Sequence, residues 1–439
     1  MFAGYERHRP EKTVLYQTIR KNLIGYRLQA MTQWPGFVKK EFSDYLNCGL
    51  LSQGFIRIYC STCKAEKLLA FSCKRRGFCP SCTARRMNIT ADHLVAKVIP
   101  QVPTRQWVLS FPVELRFAMA YRPEIQKQML KIFMATISHW YKSKAKPQGQ
   151  RKSLSVGAVT VIQRFGGALN LNIHFHTIFL DGAYDDNGFI KTPAPRKEDI
   201  HELTRKIHAK AKKYLEQRED EAVGEVGLRQ LFFSKSTQLI GEPVQWQTDT
   251  NSYKGFSLNA EVAVRKNNRQ KLEKLCRYIL RGPISTERLH KLPNGDLLYR
   301  LKKTWPNGAT HIRLTPYEFL DRLHGLVPPP RKNLIRYHGI LAPNSKARKK
   351  VIPKQQPAKS KNMTWAAMLK KIFNIDATHC AVCGNPVKVL AVINDLKVAR
   401  KILEHIGEEV VDPAPELPVT RGPLKAAFPE IESQLPSDW

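Results

Sequence analysis

Three groups of residues have the types and spacings that chemistry needs. Cys60-Ser-Thr-Cys63 is followed, after fifteen residues, by Cys79-Pro-Ser-Cys82. Two such knuckles can each place two thiolates about 2.3 Å from one tetrahedral ion. One structural Zn2+ on Cys60, Cys63, Cys79 and Cys82 is therefore expected. Cys48 and Cys73 are expected to pack as small apolar side chains, with a second site as the alternative. His174 and His176 stand in LNIHFHTIFL, rich in the β-branched and aromatic residues of a buried strand. Side chains at i and i+2 share a face, so both imidazoles project together and Phe175 points the other way. Two imidazoles can hold one divalent ion and leave positions open for phosphate oxygens and water, as a catalytic site requires. The alternative is a pair of hydrogen-bonded core histidines.

The third group supplies a nucleophile. Leu272, Leu275, Cys276 and Ile279 make the apolar stripe of an amphipathic helix over Asn268 to Arg281. Tyr278 falls on the other face with Lys271, Lys274 and Arg281, where a phosphodiester would be held and a phenolate stabilised. Gly282-Pro283 ends the helix.

Several elements must position these groups. Residues 11 to 46 have helical spacing and the cysteines follow, so residues 1–95 read as an N-terminal helical and zinc-ribbon domain. Residues 100–327 alternate strand-like runs with helical stretches: Trp107, Leu109 and Phe111; Val156 to Phe165; Leu171 to Leu180; Phe256 to Val264. The expected class is α+β, with a central antiparallel sheet. After Pro328-Pro329-Pro330, residues 328–362 read as a basic, proline-containing linker: Arg331 to Lys361 holds ten Lys or Arg and no acid. Residues 363–411 form a small C-terminal module with one knuckle, Cys380 and Cys383, read as a metal-free turn unless His379, His405 or another chain completes a shell. The Pro-rich stretch 412–439 reads as disordered.

Composition fits a polyanionic partner. Lys and Arg number 72 against 37 Asp and Glu, a formal net charge of +35, which disfavours an ordinary metabolic enzyme. Lys74, Arg75, Arg76, Arg85 and Arg86 crowd the second knuckle and are expected to face DNA phosphates. The opening MFAGYERHRPEKT has no signal-peptide block and no apolar run suits a membrane span, so a cytoplasmic, nucleoid-associated protein that does not bind membranes is expected. No G-x-x-x-x-G-K-[ST] loop occurs.

The H-x-H strand followed by a helical tyrosine resembles the HUH superfamily of single-strand nucleases. The stretches CGLLSQGF, FSCKRRGFCPSC, RQWVLSFP, VIQRFGGALNLNIHFHTIFLDG, LCRYILRGP, RYHGILAP and HCAVCG resemble rolling-circle insertion-sequence transposases of the branch with an N-terminal zinc-binding domain. The resemblance implies an HUH nuclease domain, Tyr278 as nucleophile, and His174 and His176 as ligands of a catalytic Mg2+ or Mn2+. Lys274 stands where some members carry a second tyrosine, so the single-tyrosine version is implied. Gln163 is a third-ligand candidate if its strand pairs so that it opposes Asn172, since a one-residue slip would reverse its face. The implied activity is cutting and rejoining of single-stranded DNA through a 5′-phosphotyrosine, with single- and double-stranded DNA at element ends and host helicase and polymerase as partners. A replication initiator or relaxase of the same chemistry, and a non-enzymatic zinc-ribbon DNA-binding protein, are the alternatives.

Overall fold

The computed structural model describes residues 9–29, 34–145, 154–221, 252–352, 369–370 and 376–412. The expected disordered tail, from residue 413 on, and residues 353–362 of the expected linker lie outside them. The chain begins with two helices, α1 (Val14–Gln29) and α2 (Gly36–Leu46). A hairpin follows, β1 (Phe55–Tyr59) and β2 (Glu66–Ala70), and then helix α3 (Pro80–His93).

The central sheet is antiparallel, and the short β4–β5 and β8–β9 connections are the kind that antiparallel neighbours allow. Its strands are β3 (Thr104–Ser110), β4 (Gly157–Phe165), β5 (Leu171–Leu180), β8 (Ser252–Tyr253), β9 (Phe256–Asn259), β10 (Ala263–Val264) and β14 (Ile335–Gly339). The order is β14-β4-β5-β3-β9-β8, with β10 also on β3. β6 (Gly182–Asp185) and β7 (Gly188–Lys191) make a separate hairpin. β5 thus lies at the centre, flanked by β4 and β3.

Alternation along β3 and β5 sorts the sheet into two faces. Trp107, Leu109, Phe111, Ile173, Phe175 and Phe179 enter one core with α4 (Val113–Tyr121), α5 (Pro123–Ala145) and α6 (Lys197–Glu221). On the other face Val159, Val161, Ile178 and Leu180 pack with Ala91 and Leu94 and with the stripe Leu272, Leu275, Cys276 and Ile279. That stripe belongs to α7 (Arg269–Leu280), capped by the Asn268 side chain, which accepts from the Lys271 backbone N–H. Gly282, just past its end, is required by close approach: a Cβ there would lie 2.4 Å from Thr83 Oγ1 of α3.

The linear division of the chain is not its spatial division. Residues 284–327 contain β11 (Leu289–Lys291), β12 (Leu297–Arg300), β13 (His311–Leu314) and α8 (Pro316–Leu326), and they share a core with α1 and α2. Residues 335–339, inside the stretch expected as linker, pair with β4 from Ile335↔Val161 to Gly339↔Gly157, and Ile340 and Leu341 are buried behind them. The cations of this stretch are compatible with a strand because an edge strand needs only one partner. β15 (Lys388–Ile393) pairs with β1, making a sheet β15-β1-β2, and α9 (Leu396–His405) packs beside it through Ala399 and Leu403 against Leu51 and Phe55. The late module is therefore built onto the N-terminal ribbon. No helix of the described residues is long and apolar enough to cross a membrane.

Candidate functional site

His174 and His176 project from the centre of β5 toward α7. Their neighbours on β4 are Gln163 and Val161, and on β3 Ser110 and Val108. Gln163 therefore opposes His174 rather than Asn172; a shift of two residues keeps its face, so it lies on the imidazole side. The two Nε2 atoms are 3.0 Å apart, and two lone pairs that close repel unless a proton or a cation lies between them. His174 Nδ1–H donates to the Asn172 carbonyl at 2.9 Å; a carbonyl only accepts, so Nε2 of His174 carries the lone pair. The Gln106 amide lies 2.8 Å from His176 Nδ1. In one orientation its nitrogen donates to the ring; turned over, its oxygen accepts Nδ1–H and frees the second Nε2. Burial draws His174 down to about 4, and burial, with His174 and Arg281 beside it, holds His176 well below the ordinary value. Both rings are thus neutral at physiological pH, the form that binds a divalent ion.

Gln163 completes the case for a cation. Its Nε2 donates to the Ile279 carbonyl at 2.6 Å, while its buried Oε1 has no partner among the described residues. A buried amide oxygen without a donor is costly, and this one lies on the same sheet face as the two imidazole Nε2 atoms. Two nitrogens and a neutral oxygen form a donor set that fits a divalent metal ion.

Tyr278 stands over this group. Its ring centroid is 6.0 Å from that of His176, and the residue is 44% exposed, unlike the buried stripe on the opposite face of α7. Arg281 Cζ and Lys302 Nζ each lie 4.5 Å from its ring centre. Burial works to raise the phenol, but the hydrogen bond and charge of Arg281, followed by the charges of Lys302 and Lys303, hold it below the ordinary value. Arg281 also lies over Phe165, 5.5 Å from its ring centre. Beyond it a cavity of about 350 Å³ opens between α3, β4 and β14, with Arg76, Arg86, Gln163 and Arg281 in its wall.

Other site candidates have different positions. Lys271 and Lys274 are exposed on α7, and neither meets the Tyr278 ring among the described contacts. Lys302, which does, lies in the connection after β12, and no local pattern marks it. Gln106 could have been found: it falls out of phase with Trp107 and Leu109 on a buried strand, so it is a polar side chain aimed at the imidazole face.

The cysteines regroup. Cys79 and Cys82 lie with Cys48 and Cys73, and Cys60 and Cys63 lie with Cys380 and Cys383, each set within 4.8 Å. The single site expected on Cys60, Cys63, Cys79 and Cys82 is thereby corrected, as is the expectation that Cys48 and Cys73 only pack. The reason is the hairpin. Cys60-Cys63 forms its tip between β1 and β2, whereas Cys48 and Cys73 flank its base, and strands of five residues separate tip from base by about 17 Å. At the base, Cys79 is the N-cap residue of α3 and Cys82 sits in its first turn, where unpaired helix N–H groups favour a thiolate.

The basic rim is partly structural. Arg75 pairs with Asp44 of α2, Arg76 donates to the carbonyls of Lys332 and Pro329 at 2.6 and 3.2 Å, and Arg86 donates to the Lys74 carbonyl at 2.9 Å. Lys74 is exposed and Arg85 half-buried.

Residues 19–111 match the family model described as "Transposase zinc-binding domain", and residues 157–349 match the one described as "Putative transposase". The first contains six of the cysteines; the second contains the histidines, Gln163, Tyr278, Arg281 and Lys302. The transposase for insertion sequence element IS801 of Pseudomonas savastanoi pv. phaseolicola is 24% identical over 369 residues, covering 80% of this chain and 83% of that protein. No solved structure matches the chain. With both domains in order along one chain, the protein has the domain make-up of a transposase with an N-terminal zinc-binding domain, and it is similar over most of its length to an insertion-sequence transposase.

Proposed function

We propose that the chain mobilises an insertion sequence by cutting and rejoining single-stranded DNA, with Tyr278 as nucleophile in an HUH-type nuclease domain. The observation that carries this reading is an exposed tyrosine beside an imidazole pair, with two cations at its ring. Tyr278 Oη attacks the scissile phosphorus in line. A phosphotyrosine bond to the 5′ side forms, the bond to the 3′ oxygen breaks, the phenol loses its proton, and the departing 3′ oxygen gains one. One phosphodiester replaces another, so the step is nearly energy-neutral and runs backward to rejoin strands.

Arg281 and Lys302 stabilise the phenolate and hold phosphate oxygens. Arg76 and Arg86 extend the cationic wall along the strand. His174, His176 and Gln163 would hold Mg2+ or Mn2+, which when bound supplies a Lewis acid for the scissile phosphate. The rolling-circle route leaves unwinding and strand synthesis to a host helicase and polymerase, acting at DNA in the cytoplasmic nucleoid.

The test is incubation of the protein with labelled single-stranded oligonucleotides from an element end and Mn2+. A covalent adduct mapping to Tyr278 is expected; an adduct on any other residue, or none, ends the proposal. Two further outcomes follow. Arg281→Ala should slow adduct formation by about 10²-fold, the scale of losing one preorganised donor, measured by single-turnover kinetics. Gln106→Leu removes the partner of His176 Nδ1 and should weaken Mn2+ binding by about 10- to 100-fold, read from the metal dependence of the same reaction.

A further inference from the structure

The knuckle Cys380-Ala-Val-Cys383 lies outside both matched domains, yet it is a structural twin of Cys60-Ser-Thr-Cys63. Cys60 N–H donates to the Ala65 carbonyl at 2.9 Å and Lys64 N–H to the Cys60 carbonyl at 2.9 Å; Cys380 N–H donates to Asn385 at 2.8 Å and Gly384 N–H to Cys380 at 2.9 Å. The residue after the second cysteine has positive φ in both, 61° at Lys64 and 73° at Gly384. A lysine holds this conformation only where its surroundings demand it. Each knuckle also turns N–H groups toward sulfur, as Val382 N–H does toward Cys380 Sγ at 3.4 Å.

The two knuckles face each other. Cys60 Sγ lies 3.5 Å from Cys383 Sγ, and Cys63 Sγ lies 3.4 Å from Cys380 Sγ. Four thiolates around one tetrahedral zinc ion sit about 3.8 Å apart, close to this spacing. All four are free cysteines, and Cys60 and Cys380 are buried. We propose that Cys60, Cys63, Cys380 and Cys383 bind a second structural zinc ion, which fastens the C-terminal strand and helix to the tip of the N-terminal ribbon.

The fastener answers a weakness in the packing. The ligands Cys60 and Cys383 are 323 positions apart, so loop closure is costly. Among the described residues, the contact it secures has a core of only Leu51, Phe55, Ala399 and Leu403 as buried apolar residues. β15 covers one side of β1, but Val389, Leu390 and Val392 stay more than half exposed. Four sulfurs close the coordination shell, so the site is structural and leaves no position for substrate.

Metal analysis of the full chain under reducing conditions tests this. Two zinc ions per chain are expected to be released by a thiol-modifying reagent, which reports ions bound at sulfur and not at His174 and His176, with one in Cys380→Ser/Cys383→Ser and one in Cys48→Ser/Cys82→Ser. Trypsin, whose sites include Lys354, Lys359 and Lys361, should leave the late fragment bound to the rest of the wild type and release it from Cys380→Ser/Cys383→Ser. One zinc ion in the wild type, or an unchanged content in Cys380→Ser/Cys383→Ser, overturns the proposal. Should either variant fail to fold, cobalt titration of the metal-free wild type decides: two equivalents with thiolate-to-cobalt absorption support it, and one equivalent refutes it.

Discussion

Tyr278→Phe should abolish covalent capture of single-stranded DNA, lowering the rate by at least about 10⁴-fold, the scale of losing a nucleophile that no neighbour can replace. The substitution keeps the ring, so the edge contact with His176 and the cation contacts of Arg281 and Lys302 survive; only Oη is lost. Binding of the uncut strand should therefore be unchanged in a fluorescence anisotropy titration while the adduct disappears from a denaturing gel. His174→Ala makes the complementary case. It leaves Oη in place but removes a lone pair from the donor set, so its defect should vary with metal concentration and that of Tyr278→Phe should not. A Tyr278→Phe protein that still forms the adduct at the wild-type rate would show that another group attacks, and would reduce the tyrosine to part of the binding surface.

The elements of this site were legible because they rest on local periodicity. Alternation in RQWVLSFP and LNIHFHTIFL predicts strands, which the structure has at Thr104–Ser110 and Leu171–Leu180. The stripe from Leu272 to Ile279 predicts the helix, observed at Arg269–Leu280, that turns Tyr278 outward. What escaped is set by long-range topology. A C-x2-C knuckle announces that it can ligate, but its partner depends on where a hairpin tip falls. The spacing between Cys63 and Cys79 suits one site, yet the β1–β2 hairpin carries Cys60 and Cys63 away from Cys79 and Cys82. Lys302 reaches Tyr278 because the residues around it pack on α1 and α2, a contact no window of sequence contains. Ile335–Gly339 was hidden by its composition, since a cationic, proline-flanked run resembles a linker until β4 offers it an edge.

The same sheet carries the feature whose loss should cost most stability. Asp181 follows β5 directly, seven residues after His174, and is buried with Arg105 of β3. Arg105 Nε and Nη2 donate to the two carboxylate oxygens at 2.9 and 3.1 Å, and Nη1 donates to the Ala260 carbonyl at 2.9 Å. Tyr141 Oη donates to Asp181 at 3.0 Å and accepts from Trp107 Nε1 at 3.0 Å, so one network spans β3, β5 and α5. Asp181→Ala leaves a buried guanidinium without its counter-charge and should destabilise the protein by about 3–5 kcal/mol, seen as a lower urea midpoint by tryptophan fluorescence. Arg105→Met/Asp181→Leu removes both charges and should recover most of that loss, because a paired desolvation penalty disappears with the pair. If the double variant is no more stable than Asp181→Ala, the network's worth lies in hydrogen bonds and packing instead of charge compensation. The result bears on chemistry because the Arg105–Asp181 pair joins β3 to the end of β5. That register sets Gln106 diagonal to His176, so loosening it should weaken Mn2+ binding before the chain unfolds.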